Sequence, residues 1–140
     1  MTREDLRQLA TDVVEASNDG DWERQAQLVA PHVVYQETGT DRRAETADAY
    51  VGALQDWKQA VPDIHAQLRT LLVDEETGTI ACQITWRGNH TGPYTSPTQT
   101  IQPSGRPVRT TSALFFTVEN GLITHARHFL LPPFGPFACC

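Results

Sequence analysis

The residues whose types and spacing could do chemistry cluster near the end of the chain. Between Leu122 and Leu131, strand alternation puts His125, Arg127, Phe129 and Leu131 on one face and Thr124, Ala126, His128 and Leu130 on the other. Histidine changes protonation near neutral pH and arginine does not. His125 could therefore move a proton while Arg127 holds a developing enolate, carboxylate or phenolate oxygen. The plainer alternative makes His125 a hydrogen-bonding residue of the sheet and pairs Arg127 with a carboxylate such as Asp63 or Glu37. His90, in Gly88-Asn89-His90-Thr91-Gly92, falls at a strand end near the expected mouth, where a solvated turn histidine competes with a catalytic one. His32 and His65 read as surface or helix-end residues, and His128, on the opposite strand face, as a contact to a partner subunit.

These residues need elements to position them. Thr2 with Asp5 forms a capping-box-like start, and Leu6, Leu9, Ala10, Val13 and Val14 follow at helical spacing until Asn18-Asp19-Gly20. Asp21 can cap a second helix from Trp22 through Val29, ended by Pro31, before a short strand at Val33, Val34 and Tyr35. Ala47, Tyr50, Val51, Leu54, Trp57 and Val61 make a third helical stripe, closed by Pro62. The period then changes to two: strands are expected over Ile64 to Val73, Thr79 to Arg87, Val108 to Val118 and Leu122 to Leu131. A Pro/Gly/Ser/Thr-rich loop runs from Gly92 to Pro107, and Asn120-Gly121 is a strong hairpin turn. Helices followed by long strands indicate an α+β fold, a curved and mainly antiparallel sheet wrapped around the N-terminal helices, with a cone inside.

Composition bounds the function. The 140 residues suit one domain, here 1–131, followed by a Pro/Phe-rich tail at 132–140. Seventeen Asp+Glu against eleven Lys+Arg give a net charge of −6, the wrong sign for nucleic acid or an anionic membrane surface. Apolar stretches such as Ser112 to Val118 fall far short of the roughly 20 residues that span a bilayer. With no apolar leader at the N-terminus, the expected location is cytoplasmic. Cys82, Cys139 and Cys140 form neither a disulfide framework nor a zinc pattern, and the terminal Cys-Cys reads as a frayed tail. No metal ligand spacing, phosphate loop or nucleophile elbow is present, so no cofactor is expected.

Several runs resemble one family. Asn18-Asp19-Gly20-Asp21-Trp22, Val29-Ala30-Pro31-His32-Val33-Val34-Tyr35, Val61-Pro62-Asp63, Trp86-Arg87-Gly88-Asn89-His90-Thr91-Gly92, Ser104-Gly105-Arg106-Pro107-Val108 and Glu119-Asn120-Gly121-Leu122-Ile123 occur in order across Leu6 to Leu131. Together they resemble the SnoaL-like polyketide cyclases of the nuclear transport factor 2-like superfamily. The resemblance implies a cystatin-like α+β cone, metal-free catalysis and a homodimer. It implies a pocket-facing set on the last strand, with His125 where the aldol cyclases carry histidine and Arg127 where they carry aspartate. It also implies a cavity lined by Tyr35, Tyr50, Trp57, Trp86, Phe129 and Leu131, although aromatics at such spacing are also ordinary core.

The expected activity is a cofactor-independent cyclase or isomerase acting on a small, hydrophobic, polyketide-type natural-product intermediate. Proton transfer and oxyanion stabilisation in an apolar cone would drive it. The missing aspartate brings epoxide opening, conjugate addition and shape-driven closure nearly level with the aldol reaction. A non-catalytic hydrophobic ligand-binding module and an epoxide hydrolase using Asp63 or Glu37 are the alternatives.

Overall fold

A computed structural model describes residues 1–130. Helix α1 (Arg3–Asp19) starts at the expected capping box. The Thr2 hydroxyl accepts from the Asp5 amide at 3.1 Å, and the Asp5 carboxylate accepts from the Thr2 amide at 2.9 Å. Gly20, left-handed at φ 65°, ends it. Helix α2 (Trp22–Gln27), capped by Asp21, is shorter than expected, because the chain enters strand β1 (Val29–Thr38) well before Pro31. Pro31 sits in a stretch where the register slips between Val29 and Val34, so its missing N–H interrupts no ladder. After β2 (Arg43–Ala44) comes α3 (Ala47–Ala60), capped by Thr46.

The second half supplies β3 (His65–Asp74), β4 (Thr79–Asn89), β7 (Pro107–Glu119) and β8 (Leu122–Phe129). The expected loop between β4 and β7 carries a small ribbon of its own, β5 (Tyr94–Thr95) against β6 (Thr100–Ile101). The six-stranded sheet runs β2-β1-β8-β7-β4-β3. Every neighbouring pair is antiparallel except β1 with β8, and the curved sheet does not close into a barrel. Asn120 (φ 54°) and Gly121 (φ 80°) make the left-handed two-residue turn joining β7 to β8.

One irregularity sets the phase of the last strand. Thr117 pairs with His125 and Val118 with Ile123, leaving Thr124 as an extra residue on β8. Ile123 points into the core, but beyond this bulge Ala126, His128 and Leu130 point inward, while His125, Arg127 and Phe129 are exposed. Helices α1 and α3 cover the concave face, where Leu6, Leu9, Val13, Tyr35, Tyr50, Ile80, Ile84, Phe116 and Ile123 form the main core. Trp57, Ala60, Val61, Tyr94, Val108 and Leu130 form a second cluster.

Candidate active site

Between the helices and the concave sheet lie two adjoining cavities of about 30 and 20 Å³. Both are bounded by Ser17 of α1, Leu54 of α3, Trp86 of β4 and His128 of β8. Trp22, Trp57, Lys58, Ile64, Val108 and Leu130 extend the larger wall; Tyr35, Tyr50, Ile84 and Phe116 extend the smaller. The lining is almost wholly apolar, with the His128 ring set into it.

His128 belongs to a buried chain of polar groups. Its Nε2 lies 2.7 Å from the Ser112 hydroxyl and its Nδ1 lies 3.1 Å from the Tyr35 hydroxyl. The Trp86 indole N–H donates to Ser112 Oγ at 2.8 Å. At the other end Tyr35 donates to Glu37 at 2.5 Å, where the Thr40 hydroxyl (2.5 Å) and the Trp57 indole N–H (2.9 Å) also donate. Three donors converging on one buried carboxyl is the pattern of an acceptor-only carboxylate. Strand alternation explains the grouping: Val33, Tyr35 and Glu37 share the inward face of β1, Ser112 is inward on β7, and His128 is inward on β8.

Burial decides the protonation states. Desolvation pulls the His128 imidazole down to about 4, so it is neutral at physiological pH. Desolvation, then the neighbouring Glu37 charge, push the Tyr35 phenol well above its ordinary range, and desolvation raises Tyr50 too. A neutral imidazole against an apolar cavity, with a buried carboxylate one hydroxyl away, can exchange a proton with a bound carbon or oxygen acid.

The expected catalytic residues do not meet here. His125 is exposed on the outer face, its Nδ1 3.3 Å from the Thr124 hydroxyl, because the Thr124 bulge re-aims the strand. Arg127 also points outward, its guanidinium 5.5 Å from the centre of the Phe115 ring, and with Phe129 it lines an outer groove rather than the interior. The expected inward-facing set is therefore corrected to Ala126, His128 and Leu130, and His128 is an interior residue rather than a surface one. His90 is buried but binds its own loop: Nδ1 lies 3.0 Å from the Ser104 hydroxyl and accepts from the Ser104 amide at 3.2 Å. Burial lowers its pKa as well. It is absent from the residues lining either interior cavity.

Tyr35, Tyr50, Trp57 and Trp86 do border the cavities, whereas Phe129 is on the outer face and Leu131 lies outside the described residues, as does the 132–140 tail. Asp63 is on the surface, accepting from the Asn89 amide and side chain, both at 2.8 Å; these bonds hold its carboxyl below the usual range. Ser112 was not a sequence candidate, since a serine inside an apolar strand gives no signal of its own. Glu37 is a sequence candidate only as a carboxylate partner for Arg127 or as an acid of the epoxide-hydrolase alternative; its bond to Tyr35 comes from the structure. Among the described residues, no three His, Cys, Asp or Glu side chains group as metal ligands, and no helix is long and apolar enough to cross a membrane.

The sequence matches the SnoaL-like polyketide cyclase family over residues 5–130. The chain belongs to that family. No curated protein matches this SnoaL-like sequence. Among solved structures, a candidate SnoaL-like polyketide cyclase from Jannaschia sp. CCS1 is 15% identical with a TM-score of 0.79, covering 91% of this chain and 85% of its own. IdmH, a candidate polyketide cyclase from Streptomyces antibioticus, is 22% identical with a TM-score of 0.73, covering 89% and 91%. TsrD from Streptomyces laurentii is 21% identical with a TM-score of 0.78, covering 93% and 90%. At such identities these likenesses establish the SnoaL-like fold, and the chemistry must be argued from the side chains of this chain.

Proposed function

We propose that the protein is a cofactor-independent cyclase or isomerase that moves a proton on a small hydrophobic, polyketide-type intermediate, with His128 as the group that moves it. The observation that carries the reading is a neutral imidazole bordering both apolar cavities. An apolar wall strengthens every polar contact made to a bound enol or enolate, and the Trp57, Trp86 and Tyr50 rings offer flat surfaces for a conjugated substrate. Family membership favours ring closure as the outcome of that proton transfer. The epoxide-hydrolase alternative loses support, since Glu37 is the only buried acid among the described residues and its oxygens already serve three donors.

The test is carbon-acid exchange. A soluble 1,3-diketone in deuterated buffer should exchange its α-hydrogen faster with protein than without, and His128→Gln should slow the protein-dependent rate by about 100-fold or more. Exchange no faster than buffer, or undiminished in the variant, refutes the assignment. A second reading, a ligand-binding module without catalysis, draws on the fact that both ring nitrogens of His128 already have protein partners. It predicts saturable binding of the diketone with no exchange.

A further inference from the structure

We propose that Tyr35 and Glu37 are positioning residues that lock His128 in one tautomer, with the proton on Nδ1 and the lone pair on Nε2. This rests on the reading of His128 as the proton-moving group and says which of its two nitrogens is the base. The argument is an inventory of donors and acceptors along one chain of hydrogen bonds. Glu37, receiving from Thr40 and Trp57, has only acceptors to offer, so the Tyr35 hydrogen points to Glu37 at 2.5 Å. The Tyr35 oxygen then has only a lone pair for His128 Nδ1 at 3.1 Å, and Nδ1 must carry the hydrogen. A neutral imidazole has one N–H, so Nε2 is the acceptor, and the Ser112 hydroxyl, 2.7 Å away, donates to it. Ser112 is left with lone pairs, one of which accepts the Trp86 indole N–H at 2.8 Å. Every hydrogen in the chain has one direction, and the direction is imposed from the Glu37 end.

The arrangement has a chemical consequence. The Nε2 lone pair is directed at Ser112 Oγ, so the proton travels through that hydroxyl: Ser112 passes its own hydrogen to Nε2 as its oxygen takes one from the substrate, which leaves an enolate and an imidazolium. The imidazolium keeps its Nδ1–H on Tyr35, whose own hydrogen remains on Glu37, so the new buried cation sits one hydroxyl from a buried anion. Return of the same proton to another atom of the substrate restores the resting state, and the balance needs no other reactant.

The experiment is long-range proton–nitrogen NMR on protein labelled with ¹⁵N-histidine, near pH 7.5. The His128 resonances are assigned by their loss in His128→Gln. The wild type should show Nδ1 protonated and Nε2 bare. Glu37→Leu removes the acceptor of the Tyr35 hydrogen, which should then turn to His128 Nδ1 and move the imidazole proton to Nε2. Tyr35→Phe removes the acceptor of the Nδ1 hydrogen and should give the same reversal, and it serves where Glu37→Leu does not fold. A wild-type Nε2–H signal overturns the inference, as does Nδ1–H persisting in the variants. A wild-type Nδ1–H signal that reverses in the variants, without carbon-acid exchange, overturns the proposed function and leaves the tautomer lock standing.

Discussion

Glu37 and His128 are register partners on the parallel strands β1 and β8, and the Tyr35 hydroxyl bridges them, 2.5 Å from the carboxylate and 3.1 Å from the imidazole. A parallel pairing brings these side chains to one face at one level, and the polar centre of an otherwise apolar interior is built on that pairing.

Acid should weaken the fold across a defined window. His128 is held at about 4 against an ordinary 6.5, so the unfolded chain binds the extra proton first. The stabilisation is complete above pH 6.5, falls as pH drops towards 4, and amounts to about 3 kcal/mol. His90, lowered in the same direction, adds to this limb. Urea unfolding from pH 7.5 to 4 should show a shallower loss in His128→Gln than in the wild type; parallel curves would refute the assignment.

Glu37→Ala should cost about 3 kcal/mol or more. It strands the Thr40 donor and the buried Trp57 donor at once and forces the Tyr35 hydrogen to turn to His128. The urea midpoint measures this, and a loss below about 1 kcal/mol would mean that water replaces the carboxylate.

Gly92→Ala should destabilise by about 1–3 kcal/mol through overpacking. A Cβ there would overlap the backbone carbonyl oxygen of Gln59, and the Gly92 amide donates to Ala60 O at 3.0 Å, so the loop cannot simply step back from α3. Thermal unfolding should register a lower midpoint, with Gly52→Ala, whose Cβ would meet nothing within 4 Å, as the tolerated control.

Leu54→Ala should join and enlarge the two interior cavities, since Leu54 borders both. The expected cost is about 2 kcal/mol, accompanied by tighter binding of a small aromatic probe such as naphthol in fluorescence titration. Unchanged probe affinity would show that the surrounding side chains collapse into the space.

The homodimer expected from the sequence is a proposal for the outer sheet face. Phe129, 42% exposed, packs edge-on against Phe115 there, and Arg127 lies over the Phe115 ring. Sedimentation should give twice the chain mass, and Phe129→Asp should shift it to one; a monomeric wild type at high concentration would refute the interface.

Helix stripes, period-two runs and the Asn120-Gly121 turn were legible in the sequence because each is a local pattern. The inner and outer sides of β8 were not. Ile123 and His125 share a face in an unbroken strand, and reading inward from the apolar Ile123 would carry His125 into the core. The extra residue at Thr124 depends on pairing with β7, a contact that a period within one segment does not encode. Pro31 misled for a similar reason: it reads as a helix stop, yet it sits where β1 slips its register. The family resemblance implies Tyr35, Tyr50, Trp57 and Trp86 at the cavity, a placement their spacing alone does not separate from ordinary core, while the inward place of Ser112 depends on the pairing of β7 with its neighbours.

The unpaired Thr124 acts as a one-residue selector. Deleting it would rotate the remainder of β8 by half a turn, bringing Arg127 inside and sending His128 out, and the interior would then present a permanent cation in place of a neutral base. In this scaffold a single insertion or deletion beside the last hairpin exchanges one chemistry for another while leaving the wall of helices untouched.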